Sequence, residues 1–425
     1  MKVVACASVA GGGVMPATAA TWSYNYTWTT GDHAGQPAAT CAYFVPDSRP
    51  LQVPRTMVVD KAVPVGTVLY SWDFNSFLPE FRVQCTGSGI DNDDSYLDVN
   101  GTPIQGNDPV LMKLEIGGMT KSPLFSNTNP VYNTALSGIG IRFSVKGDTV
   151  PGVDGTGYMY SYTSLYPVDG GQSIYPAPLD VVYKWGAYNY PTASAFITRY
   201  TTPPPYRFLY SNIVQGFSVK ADLIKTADTV QYGSLGLGSS AMPRWTTRYP
   251  NPSLPTDLLT GNAIMVVSPS CRLRTTDYTI PMGLWAADAI TYVGTPAYGS
   301  QVPVNLSLEC SGSVDHVRFR FEDTGTSLSG NNNISLYDTA GGNKIDGLEI
   351  ELFYNGTKVN VDNTTLTDTG SHGTTKVMPE SLPLYDSVST ATFQARYVQN
   401  AAVTRAGVNY TGPVTGKVNM YVTYD

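Results

Sequence analysis

The most regular signal along the chain is an alternation of apolar and polar residues with a period of two. Val302, Val304, Leu306, Leu308 and Cys310 alternate with polar partners, and Val317, Phe319 and Phe321 repeat the pattern. Leu348, Ile350, Leu352 and Tyr354 do the same, as do Phe393, Ala395 and Tyr397. A strand sends successive side chains to opposite faces, so each run predicts a half-buried strand. The final run carries Val414, Gly416, Val418, Met420, Val422 and Tyr424 on one face. The first half has the same texture, with Ile139, Ile141, Phe143 and Val145, then Phe217, Val219, Ala221 and Leu223. Shorter strands are expected at 67–70 and 110–114. Turn clusters such as Ser329-Gly330-Asn331-Asn332-Asn333 separate the runs. Between 148 and 210, Tyr158, Tyr160, Tyr162, Tyr183 and Trp185 stand among many breaks, which predicts hairpins and long loops. Many short strands joined by turns predict an all-β chain built as β-sandwiches.

At 425 residues the chain is too long for one ordinary domain. The alternation fades where Pro243, Pro250, Pro252 and Pro255 cluster. Residues 239–262 are therefore expected to be a linker or the edge of the first domain, between β-sandwich domains at 21–238 and 263–425. With 41 Gly, 30 Pro, 29 Tyr and only 14% charged residues, the composition excludes a helical bundle or coiled coil. Apolar residues at 42% exclude a disordered chain. A net charge of −7 leaves no basic footprint for nucleic acid, and no apolar run is long enough to insert into a membrane as a helix.

The first twenty residues hold one early lysine, small and apolar residues, and Ala17-Thr18-Ala19, which fits an A-x-A cleavage site. Residues 1–20 read as a secretory signal peptide. Its removal leaves Cys41, Cys85, Cys271 and Cys310, an even number in an exported chain. Three pairings are possible. Cys41–Cys85 with Cys271–Cys310 is favoured, because it lets each domain fold alone.

Little in the chain points to catalysis or to a cofactor. His33, His316 and His372 are the only histidines, and no nucleophile elbow, P-loop or H-E-x-x-H motif occurs. Asp315-His316 stands at the start of a strand with no serine tied to it, which reads as a solvent-facing histidine. Asp91, Asn92, Asp93 and Asp94 follow Cys85, but Tyr96 and Thr102 occupy the positions where an EF-hand needs Gly and Glu. A solvated acidic loop, an irregular calcium site and a sugar-contacting loop are all compatible with these residues. Trp185, Tyr188, Asn189 and Tyr190 form an aromatic group that could either pack internally or stack on the apolar face of a sugar. These eight residues are the candidate receptor-binding set.

The C-terminus carries the most specific pattern. Gly412 is the fourteenth residue from the end, alternating apolar residues follow it, and Tyr424 is next to last. This resembles the C-terminal signature of chaperone–usher pilus subunits. Val266-Val267-Ser268-Pro269-Ser270-Cys271 and Leu306-Ser307-Leu308-Glu309-Cys310 resemble their two cysteine-bearing strands. Phe393-Gln394-Ala395-Arg396-Tyr397-Val398-Gln399 resembles a late strand. Pro64-Val65-Gly66-Thr67-Val68-Leu69, Ser137-Gly138-Ile139-Gly140-Ile141-Arg142 and Ala221-Asp222-Leu223-Ile224-Lys225-Thr226 look like segments of the receptor-binding domain of two-domain tip adhesins.

The resemblance implies a pilus tip adhesin at the cell surface, exported through the periplasm. Its first, lectin-like domain would bind a host or surface receptor, a glycan or glycoprotein. Its second would be an immunoglobulin-like pilin fold that lacks its last strand. A periplasmic chaperone, and later the N-terminal extension of the adjacent pilin subunit, would complete that fold beside Gly412, Val414, Gly416, Val418, Met420, Val422 and Tyr424. An outer-membrane usher would carry out the exchange. A structural tip or initiator pilin without a receptor, and an adhesin for a matrix protein, are the alternatives.

Overall fold

The computed structural model describes residues 20–27, 36–86, 110–126, 128–153, 159–168, 172–174, 177–185, 192–197, 213–238, 242–247, 257–286, 292, 296–340, 342–375 and 385–424. Among them the regular elements are β-strands, apart from one 3-10 turn at Pro50–Gln52. This is the outcome that dense Gly, Pro and aromatic content favours. The chain divides into two compact units. Met1–Arg55 with Pro64–Val266 form the first, and Thr56–Val63 with Val267–Asp425 form the second.

Among the described residues, the first unit is built mainly on two large antiparallel sheets, beside a small one in which Gly233–Leu235 pairs with Ile264–Val267. The larger runs in the order Ala20–Thr27, Pro37–Val45, Leu78–Thr86, Ile213–Lys225, Ile139–Gly147 and Tyr183–Trp185. Ile213–Lys225 lies at its centre, and its alternating Phe217, Val219, Ala221 and Leu223 are all fully buried. Phe217 stacks on Phe81 with ring centroids 5.1 Å apart, while Phe77 and Tyr132 pack against Phe143. The second sheet has the order Gln172–Ile174, Met159–Val168, Thr192–Ile197, Val110–Gly117 and Met242–Thr247. Met242–Thr247 falls inside the proline-rich stretch, where it pairs with Val110–Gly117 as an edge strand. Pro243 is tolerated there because an edge strand can spare an N–H.

The second unit is a sandwich of unequal sheets. One is ordered Ser270–Leu273, Val302–Ser311, Ser387–Arg405, Lys344–Tyr354 and Ile334–Tyr337. The other has three strands, in the order Thr367–Asp368, Val317–Asp323 and Val418–Tyr424. Phe393 presents its ring to the edges of Phe319 and Phe321, at 5.3 and 5.1 Å, which locks the two inner faces together. Leu306, Leu308, Leu336, Ile345 and Leu352 fill the rest of the core. Gly347, at φ +83°, marks the register shift between Asp346 and Leu348. A Cβ there would come within 2.3 Å of the Ala402 carbonyl oxygen, so only glycine fits.

Residues 56–63, although early in the chain, belong to this second unit. Val59 N donates to the Val267 carbonyl at 3.0 Å. The carboxylate of the buried Asp60 accepts from Ala62 N at 3.0 Å and from Ser313 N at 2.8 Å.

The disulfides are Cys41–Cys85 and Cys271–Cys310, the pairing favoured from the sequence. Each joins residues that stand directly opposite on neighbouring strands, with Cα atoms 4.0 and 4.1 Å apart. Replacing both Cys271 and Cys310 by Ala should lower the stability of the second unit by about 3–4 kcal/mol. A denaturant melt of the full chain checks this, and an unchanged midpoint would rule it out.

Asp362 is a local staple. Burial pushes its carboxyl up, but bonds from Thr365 N (2.7 Å), Thr365 Oγ1 (2.7 Å) and Thr364 N (2.9 Å) outweigh this and hold its pKa at about 2. A depressed carboxylate pKa contributes stability above the unfolded value of 3.8, and that contribution is lost as pH falls toward 2. The melting-temperature gap between the full chain and its Asp362→Ala variant should therefore be widest above pH 4 and shrink below it. A gap independent of pH would show that the charge is not what holds this turn.

Candidate functional site

The terminal strand Val418–Tyr424 pairs along its whole length with Val317–Asp323, from Val418↔Asp323 to Tyr424↔Val317. Among the described residues it has no partner on its other edge. In an antiparallel ladder the hydrogen-bonding groups point alternately to the two sides, so this edge presents a row of unpaired backbone N–H and C=O groups.

The inward side chains of this strand are incompletely covered. Val418, Met420 and Val422 pack against the core yet are only half-buried, and Tyr424 at the end is 41% exposed. Leu273, Tyr278, Met282, Trp285 and Val304 are likewise half-buried against the same core. Residues 274–286 form no strand, and side chains fix their course. The Tyr278 hydroxyl donates to the Ser307 carbonyl at 3.3 Å and accepts from Ser307 N at 3.1 Å. Trp285 Nε1 donates to Gln399 Oε1 at 2.9 Å. The core of this unit is thus left with half-covered apolar side chains on both sheets, and those of Val418, Met420 and Val422 stand on a strand whose second backbone edge is open.

The outward face of the strand is clamped. Tyr421 Oη donates to Glu322 Oε2 at 2.6 Å, and Asn419 Nδ2 donates to the same oxygen at 3.3 Å. The Arg320 guanidinium lies 4.5 Å from the Tyr421 ring centroid. The Tyr421 and Asn419 bonds hold the Glu322 carboxyl below its ordinary value, and the bond to Glu322 raises the Tyr421 phenol. These contacts bind the strand to Val317–Asp323 from the solvent side and leave its free edge untouched.

The alternation from Val414 onward predicts one strand, but the strand begins at Val418. Thr415 pairs instead with Tyr337, each N–H donating to the other's carbonyl at 2.8 Å. Gly416 lies so close to Ile334–Tyr337 that a Cβ would meet Ile334 Cγ2 at 2.8 Å. The chain thus leaves one sheet and enters the other at 415–417. Gly412 lies in the loop before this crossing.

Of the candidate receptor residues, Trp185 ends the edge strand Tyr183–Trp185, opposite Phe143. Asp91, Asn92, Asp93, Asp94, Tyr188, Asn189 and Tyr190 lie outside the described residues. His316 is exposed, its Nδ1 2.7 Å from Asp368 Oδ2, as expected of a solvent-facing histidine. The apolar row at 273–285 escaped the sequence reading because it has no period. Its only signal was a group of large apolar residues in a segment without alternation.

Residues 259–425 match the Fimbrial protein family. A fimbria adhesin protein of Klebsiella pneumoniae is 26% identical over 314 residues, which span 71% of this chain and 74% of that protein. Among solved structures, the CupB6 tip adhesin of Pseudomonas aeruginosa is similar over 88% of this chain and 92% of its own, with 12% identity and a TM-score of 0.39. The receptor binding domain of the plasmid-borne adhesin MrkD1P of Klebsiella pneumoniae aligns over 55% of this chain and 99% of its own, with 20% identity and a TM-score of 0.22.

The open edge gives a direct expectation for hydrogen exchange in the full chain. Within Val418–Tyr424, amides facing Val317–Asp323 should be protected, while those facing away should exchange nearly as fast as in an unfolded peptide. Uniform protection along the strand would mean that the edge is covered. Residues 259–425 are thus similar to Fimbrial proteins, and 71% of the chain is similar to a fimbria adhesin.

Proposed function

We propose that this chain is a fimbrial tip adhesin. Its first unit binds a surface receptor, a glycan, and its second unit joins the pilus by accepting a donated strand. The observation that carries the reading is the half-paired terminal strand with its half-buried Val418, Met420 and Val422. Such an edge is a liability in water, because it invites aggregation. A donated strand would satisfy its backbone groups and cover its apolar row. Completing the burial of each of these side chains contributes about 1 kcal/mol. Each new backbone bond adds about 0.5–1.5 kcal/mol.

In strand addition, backbone bonds supply affinity and alternate side chains supply register. A periplasmic chaperone would supply the first strand, and the N-terminal extension of the adjacent pilin would replace it at the outer-membrane usher. The homology to a fimbria adhesin supports the receptor-binding half of the reading and a place at the pilus tip.

The test is to produce the full chain with and without a periplasmic chaperone, and then to add a peptide of alternating apolar residues. The free chain should aggregate, and the peptide should raise its melting temperature in a concentration-dependent way. Met420→Asp should abolish that response, and pili assembled in cells with this variant should lack the tip protein and adhesion together. A free chain that stays monomeric and ignores the peptide would overturn the proposal.

A further inference from the structure

A cleft of about 400 Å³ opens on the first unit's larger sheet. Phe217 and Val219 point into the core, so Gly216 and Ser218, which alternate with them, face the opposite side, where the cleft lies. Gly216 forms its floor. A Cβ there would meet the Phe81 carbonyl oxygen at 2.7 Å, so the bottom of the cleft is bare backbone.

One wall comes from a bulge. The register with Ile213–Lys225 shifts between Phe217↔Phe81 and Val219↔Leu78, which sets Pro79 and Glu80 together opposite Ser218. Glu80 takes φ +56°, a left-handed conformation that residues other than glycine adopt at a steric cost. Its carboxylate lines the cleft and holds Arg82 at 3.1 Å. The facing wall is the end of Ile139–Gly147 and the residues after it. Lys146 Nζ lies 2.7 Å from Asp180 Oδ1 and 3.7 Å from Asp148 Oδ1. Asp148 Oδ1 also accepts from Ser218 Oγ at 3.0 Å. Among the described residues, its Oδ2 has no hydrogen-bond partner. Phe74 and Asn75, in the turn before Leu78–Thr86, complete the rim. Lys146 Nζ stands 5.3 Å from the Phe74 ring centroid.

The chemistry of this lining is selective. Glu80 and Asp148 balance Arg82 and Lys146 in the lining, and Asp180 beside Lys146 adds one more negative charge, so the cleft does not concentrate anions. Carboxylates accept from hydroxyls, ammonium and guanidinium groups donate to them, and an aromatic face covers a patch of C–H bonds. The volume falls in the range of about 300–1,000 Å³ typical of small-ligand sites. An acidic sugar would have to seat its carboxylate beside Asp148 and compete with Asp180 for Lys146. A neutral sugar meets neither penalty.

We propose that this cleft binds a neutral hexose at the end of a receptor glycan. Asp148 and Glu80 accept from its hydroxyls, Lys146 and Arg82 donate to its oxygens, and Phe74 covers its C–H face. The inference rests on the receptor-binding reading of the first unit and names the residues and sugar class that the reading leaves open.

The experiment uses the full chain carried on assembled pili, probed with an array of neutral and sialylated oligosaccharides and with whole-cell adhesion. Neutral hexose-terminated glycans should bind. Asp148→Asn and Phe74→Ala should each weaken that binding about tenfold or more, with melting temperature unchanged. Asn75→Ala, on an exposed turn, is the variant that cannot disturb the core, and it should also weaken binding. Neutral-glycan binding that survives all three changes would overturn the cleft while leaving receptor binding intact. Binding confined to sialylated glycans would overturn the sugar class. Adhesion to cells without any glycan binding would overturn the inference and leave a protein receptor. Loss of all adhesion in pili that carry the unaltered chain would overturn the receptor reading itself.

Discussion

A strand in water has two edges of hydrogen-bonding groups, and a stable sheet must satisfy both or guard the one left open. Val418–Tyr424 satisfies one, through its ladder with Val317–Asp323. The rest of the second unit is arranged around the other. The inner sheet faces are held together by the edge-to-face packing of Phe393 on Phe319 and Phe321. The Glu322 clamp on Tyr421 and Asn419 holds the strand from the solvent side. Tyr278 and Trp285 fix the strandless segment 274–286 to Ser307 and Gln399 with hydrogen bonds of their own. An arriving strand would therefore meet a preorganised row and pay little to order it, which is the condition for tight strand addition.

The first unit meets a different constraint. Its large sheet is buried on one side by Phe81, Phe143 and Phe217, and polar side chains occupy the other side. Positions that would normally carry a solvated strand face instead hold a glycine floor, a strained Glu80 and a charged pair of walls. Bulges and left-handed non-glycine residues persist where the surrounding structure over-determines them, and they re-aim side chains. The two units thus offer opposite chemistries: an apolar, unpaired edge in one and a charge-lined cleft in the other.

Much of this was legible in the sequence. Period-two runs located Val302–Ser311, Val317–Asp323, Lys344–Tyr354 and the core half of Ile213–Lys225, because alternation reports directly which face is buried. The parity of Val418, Met420 and Val422 was legible for the same reason. The cystines followed from the expectation that each domain closes on itself, and they join residues that are direct neighbours across two strands.

What the sequence could not decide is which element pairs with which. Val414 and Gly416 continue the alternation of the last strand, yet the chain turns to pair Thr415 with Tyr337, because parity is the same whichever sheet accepts it. Residues 56–63 carry no local mark of membership in the second unit. Their place depends on Val267 and Ser313, more than two hundred residues away. The cleft gathers Phe74, Glu80, Lys146, Asp148 and Gly216 from three separate strands and their turns, so no spacing in the chain announces it. Composition and periodicity determined the strands and their buried faces, properties set by neighbours in sequence, and an even cysteine count with one pair per domain determined the cystines. The open edge, the crossing at 415–417 and the charged cleft are decided by long-range pairing, which only the tertiary structure contains.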